Sequence, residues 1–201
     1  MKARESSTLR ALIVLGAFTL IATAIPADTI QTEGTGPTHY QTANIAELGT
    51  AVPVAGAATL FRTHDGLSAR IATSELDVEA AYTVWWVLWN KPELCSAPCN
   101  ANDLGIPGNS VFYAAGFVTG MDGTANVAAS IDAGKLPEGI DVLIPGGLRS
   151  GNGLGAEVHL VIRSHGAILP GSVAEQIGTF MGGCSVNACE DQQGVVFLPI
   201  V

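Results

Sequence analysis

The stretch "AYTVWWVLWN", residues 81–90, is the densest apolar run after the N-terminal segment and sets Trp85, Trp86 and Trp89 within five positions. In an extended chain successive side chains alternate between faces, so Tyr82, Val84, Trp86, Leu88 and Asn90 share one side and Thr83, Trp85, Val87 and Trp89 the other. Both sides are apolar. One must line a core, and the other needs a loop as cover or is a recognition surface of Trp85, Trp86 and Trp89 for a sugar or a protein. Such a strand belongs at the centre of a sheet, which excludes an edge position and most helical architectures.

The surrounding texture agrees. The chain carries 24 Gly and 10 Pro with only 13% charged residues, and turn residues recur every ten positions or so, as in a protein of short strands. Strand-like runs flank Asp65-Gly66, a dipeptide suited to the positive φ angles of a type I′ hairpin turn. Further runs lie at 81–90, 110–120, 123–132, 156–165 and 194–200, with Met121-Asp122-Gly123 as a turn between two of them. Together these predict an all-β, antiparallel, Greek-key-like β-sandwich of about seven or more strands with long loops. Leu76 and Tyr82, six residues apart at the entry to a strand, have the spacing of a tyrosine corner. Residues 133–155 form a Gly/Pro-rich excursion without strand pattern, and 171–181 admit a short helix after Pro170.

The N-terminus reads as a secretory signal peptide over residues 1–24: Lys2, Arg4 and Arg10 precede the apolar run Ala11–Ile21 and the small residues Ala22-Thr23-Ala24. The run is shorter than the roughly 18–20 residues a membrane span needs, so no span is expected after cleavage. Residues 25–50 are polar and unpatterned, a flexible arm ahead of a single domain at 51–201. Loss of 1–24 changes 9 bases against 18 acids into 6 against 17, a net charge of −11. That surface repels phosphate backbones and excludes nucleic acid as a partner.

Four cysteines form two clusters, Cys95/Cys99 and Cys184/Cys189. An even count in an exported chain implies disulfides. Three pairings are open, of which the local ones, Cys95 with Cys99 and Cys184 with Cys189, are favoured because each cluster sits in a turn-rich loop. A four-thiolate zinc site is disfavoured by the oxidising compartment and the spacings.

Polar chemistry concentrates in "EVHLVIRSHG", where Glu157, His159, Arg163 and His165 share one face of a strand. One reading is a structural network joining Glu157 to Arg163, with the imidazoles capped by backbone. The other is a Zn or Cu site of His159 and His165, joined by His64 if the fold brings them together, with redox or hydrolytic activity. Ser164 and His165 point to opposite faces and cannot form a dyad, and no complete nucleophile, base or cofactor motif is present.

The segment "ATLFRTHDGLSARIATSEL", 58–76, resembles the opening of the CHRD domain, a β-rich extracellular module found in chordin and in many secreted bacterial proteins. The stretch "VHLVIRSHGAILPGSVAEQIGTF", 158–180, is similar to that module's final strands. The chain also resembles a group of secreted bacterial proteins of unknown function, with Tyr82-Thr83, Trp85-Trp86 and then Asn90, Pro92 and Cys95 in register. Both resemblances imply an extracellular or periplasmic β-domain without catalytic residues. The expected function is ligand or partner binding, or adhesion, with an unknown protein or a carbohydrate as partner and no cofactor.

Overall fold

A computed structural model describes residues 38–96 and 98–200; the signal-like segment and the arm up to residue 37 lie outside them. The strands, in chain order, are β1 (His39–Ala43), β2 (Ala46–Glu47), β3 (Gly56–Thr63), β4 (Gly66–Thr73), β5 (Ala80–Trp89), β6 (Asn109–Val118), β7 (Ala125–Asp132), β8 (Val142–Ile144), β9 (Glu157–Ala167) and β10 (Glu190–Phe197). A single α-turn, α1 (Val173–Gln176), follows β9. The strands form two antiparallel sheets, ordered β1-β3-β4-β7 and β2-β10-β9-β5-β6-β8.

Their burial follows the residue pattern. On β4 Leu67, Ala69 and Ile71 are buried while Ser68, Arg70 and Ala72 are exposed, so the four-stranded sheet has one wet face. On β5 all ten residues are buried. Tyr82, Val84, Trp86 and Leu88 enter the core between the sheets, opposite Leu60, Leu67 and Ile71. Trp85, Val87 and Trp89 form a second cluster on the outer face with Cys99, Ile106, Tyr113 and Phe180.

The tyrosine corner is present: Leu76 is buried, and the Tyr82 hydroxyl accepts from the Asp77 N–H at 2.9 Å. The same hydroxyl lies 3.0 Å from Gln192 Oε1 on β10, and burial pushes its pKa up to about 12. Both local disulfides, Cys95–Cys99 and Cys184–Cys189, are formed.

Several local expectations are corrected. The β3–β4 hairpin exists, but its two-residue link is His64–Asp65, and none of His64, Asp65 and Gly66 has positive φ. The link is held from outside, by Ala133 N–H donating to the Asp65 carbonyl at 2.7 Å and by the Thr63 hydroxyl. Gly66 is required for space instead, since a Cβ there would lie 2.8 Å from the Ile131 carbonyl of β7. The turn at Met121-Asp122-Gly123 joins strands of different sheets, β6 and β7, and so is a crossover. Gly123 has φ +61° and packs against the Leu76 carbonyl.

Residues 39–47, expected within a flexible arm, are strands β1 and β2; β1 pairs with β3 and β2 with β10. Their alternation is too short and polar to be seen without a partner. The 133–155 excursion contains β8, which pairs with β6, and is pinned by Asn90 to the Gly147 carbonyl and the Arg149 N–H. The helix expected over 171–181 is a four-residue turn whose Gln176 is fully buried.

One inward-facing residue of β3 breaks the apolar pattern. Arg62 is 0% exposed and meets five acceptors: Gln41 Oε1 at 2.6 Å, and the carbonyls of Gly153, Ala156, Phe197 and Leu198 at 2.9–3.2 Å. Burial lowers its pKa from 12.5 to about 10, so it stays charged at neutral pH. The cation is met by carbonyl dipoles drawn from β3's neighbours and both ends of the domain. Arg62→Met strands those acceptors in the interior, and we expect a loss of at least about 3 kcal/mol, seen as a lower urea midpoint. Arg62→Lys should rescue little, because an ammonium has three donors and no planar fork. A loss under about 1 kcal/mol would contradict this role.

Candidate functional site

The outer face of the six-stranded sheet carries the site. Trp85, Val87 and Trp89 of β5 and His159 and Val161 of β9 lie side by side because β5 and β9 pair with Trp85 opposite Val161 and Val87 opposite His159. With Phe180 and Val111 they line a trough of about 290 Å³. Leu48, Leu104 and Leu143, each 42–45% exposed, stand at its rim. A second depression of about 420 Å³ continues past Leu48 and His159 along β10.

The lining is rigid. Trp85 meets Tyr113 and Phe180 edge to face, at centroid distances of 6.1 and 5.2 Å. The Arg163 guanidinium lies 3.9 Å over the Phe180 ring, donates to the Phe180 carbonyl, and pairs with Asp191 at 2.7 Å. The Trp89 indole N–H donates to the Asp103 carbonyl at 3.2 Å, which fixes the 100–104 turn at one end. That turn is a capping box: Asn100 Oδ1 accepts from the Asn102 N–H while Asp103 accepts from the Asn100 N–H.

His159 and Asp191 are the polar points in this lining, and Asp191 is already paired with Arg163. His159 Nε2 lies 2.8 Å from Glu157 Oε1, which also accepts the Cys99 N–H at 2.9 Å, so the first disulfide loop is tied to the imidazole through one carboxylate. Glu157 is buried and acts as acceptor, which places the imidazole proton on Nε2 and leaves Nδ1 with a free lone pair. Nδ1 has no hydrogen-bond partner among the described residues, and the side chain as a whole is 14% exposed. The ring packs on Trp89 at 4.6 Å. Burial pushes the imidazole below its ordinary pKa, and Glu157 opposes that shift.

The histidines singled out in the sequence do not converge. His64 sits in the β3–β4 link beside Asp65 and is largely exposed. His159 and His165 are six residues apart on an extended strand, roughly 20 Å. Among the described residues the one cluster of three potential ligands joins His165 to Cys184 and Cys189 and includes neither His64 nor His159. Strand length also separates Glu157 from Arg163; they bind His159 and Asp191 respectively. The tryptophans offer no open stacking face: Trp85, Trp86 and Trp89 are 1%, 1% and 2% exposed. The recognition surface expected of them is replaced by a trough that Trp85 and Trp89 support from beneath, while Trp86 lies in the core between the sheets. Leu48, Leu104 and Leu143 had no signal in the sequence, since isolated leucines in loops or in a three-residue strand such as β8 look alike until the fold assembles them.

No family model, curated protein or solved structure matches the chain. Among the described residues no helix is long and apolar enough to cross a membrane.

The buried imidazoles set a pH dependence. Burial is the main cause holding both His159 and His165 below the ordinary value of about 6.5. As pH falls through that value the unfolded chain takes up protons first, so stability present above about pH 6.5 is lost on acidification. We expect the denaturant midpoint to fall between about pH 7.5 and pH 5.5, with a shallower decline in His159→Gln. A flat profile would show that these rings are not held neutral.

Proposed function

We propose that the chain is an exported, non-enzymatic β-sandwich domain whose outer trough binds a small apolar ligand bearing one hydroxyl or N–H donor. The observation that carries this reading is the imidazole of His159, held through Nε2 by Glu157, in a trough whose lining is otherwise aromatic and aliphatic except for Asp191. Ligand sites of this kind are mostly apolar, with a few placed polar groups that fix orientation. The volume, about 290 Å³, suits a molecule of one or two rings, near the lower end of known pockets of roughly 300–1,000 Å³. Pre-packed rings beneath the site lower the ordering cost of binding.

Export is supported by the charged, apolar and small-residue order of residues 1–24 and by two disulfides in a small domain. The CHRD-like segments favour the same extracellular binding role.

N-phenyl-1-naphthylamine, two apolar ring systems joined by one N–H, is a suitable probe. We expect one equivalent to bind with enhanced dye emission and energy transfer from Trp85 and Trp89. Leu104→Asp should weaken binding by roughly tenfold or more, about 1.4 kcal/mol, without moving the thermal midpoint. No binding, equal binding by the variant, or quenching by oligosaccharides in place of the dye would overturn the reading.

A further inference from the structure

At the far end of β9 from the trough, His165 is fully buried and fully bonded. Its Nδ1 donates to the Gly182 carbonyl at 2.7 Å. Its Nε2 accepts from the Thr83 hydroxyl at 2.8 Å, and that oxygen accepts from the Trp85 indole at 2.7 Å. Over Nδ1 lie Cys184 Sγ at 3.9 Å and Cys189 Sγ at 3.7 Å. Two ligands of one tetrahedral zinc, at about 2.3 Å for sulfur and 2.1 Å for nitrogen, lie about 3.6 Å apart. The ligand atoms of all three residues fall within 4.8 Å of one another.

We propose that the Cys184–Cys189 disulfide is the closed form of a three-ligand site for one thiophilic cation, Zn²⁺ or Cu⁺, built from Cys184 Sγ, Cys189 Sγ and His165 Nδ1. The loop that carries the sulfurs is fastened independently of the disulfide. Asn187 Nδ2 donates to the His165 and Ala167 carbonyls at 2.8 and 2.7 Å, and Gly183 packs on the Gln176 side chain, which is itself bonded to the same two carbonyls. Backbone turns from Met181 to Asn187 hold the loop's shape. Opening the S–S bond therefore leaves both thiols above the imidazole.

The chemistry balances with a dithiol as reductant. It gives two electrons and two protons to the S–S bond and leaves as its own disulfide. Zn²⁺ then displaces the two thiol protons to solvent. His165 stays neutral by changing tautomer: Nδ1 gives up its hydrogen bond to the Gly182 carbonyl, which must turn aside, and offers its lone pair to the metal, while the proton now on Nε2 donates to Thr83 Oγ1 and the Thr83 hydroxyl proton rotates away. Thr83 and Trp85 thus become the outer hydrogen-bond shell that orients a metal-bound imidazole. The site shares Trp85 with the trough, a lining ring there and an indole donor to Thr83 here, but none of its three ligands lines the trough, and it stands or falls separately.

The test is a Zn²⁺ titration against a chromophoric chelator, with and without a phosphine reductant. Cys184→Ser/Cys189→Ser, which keeps Cys95 and Cys99, is the control. Reduced wild type should bind one equivalent more than reduced control, and the oxidised protein none. Co²⁺ should give a thiolate charge-transfer band absent from the control, and the ¹⁵N resonance of His165 Nδ1 should move on zinc binding. His165→Asn should weaken the site at least roughly tenfold; the nitrogen resonance decides the matter in wild type if that variant fails to fold. No extra equivalent in reduced wild type, a stationary Nδ1 resonance, or collapse of the fold on reduction would overturn the proposal.

Discussion

A strand that is apolar on both faces cannot be stable unless both are covered, and β5 is such a strand. Its inner face is covered by the four-stranded sheet, as in any sandwich. Its outer face has no second sheet, so loops must do the work: the Cys95–Cys99 loop, the 100–104 turn and the segment around Phe180. Loops carry backbone polar groups that need partners. Those partners are the groups that gather around the trough, where Glu157 receives the Cys99 N–H and Trp89 and Arg163 bond the Asp103 and Phe180 carbonyls. The trough lies where this loop cover stops short of the sheet.

The same logic explains where the disulfides lie. Each closes a loop of only four or five residues in sequence separation, and short loops gain little by restricting the unfolded chain. Their placement matters more than their entropy. One stiffens the loop over Trp89 and His159, and the other caps His165, so both reinforce the face of the sheet that lacks a covering sheet.

The sandwich, the seven principal strands, the two faces of β5, the tyrosine corner and both disulfides were legible in the sequence, because each rests on local alternation or on composition. What was hidden required distance. Strands β1, β2 and β8 are short and have meaning only beside β3, β10 and β6. Arg62 sits in an ordinary alternating strand, and nothing nearby shows that carbonyls from residues 153–156 and 197–198 will surround it. The histidine row was read correctly as one face of β9, but a strand spreads its residues, so alignment on a face did not become a cluster. The real cluster about His165 needed a loop some twenty residues downstream to fold back over it.

Arg62 also constrains the order of events. Its cage draws on Gln41 of β1 and on the Phe197 and Leu198 carbonyls at the end of β10, and β10 is inserted between β2 and β9. Neither sheet docking nor charge burial can be completed until β10 is in place. Domains that close through strands distant in sequence have high contact order and fold slowly. One buried cation thus locks the register of strands far apart in sequence, since a slip of β1 or β10 by one residue would leave an uncompensated charge in the interior.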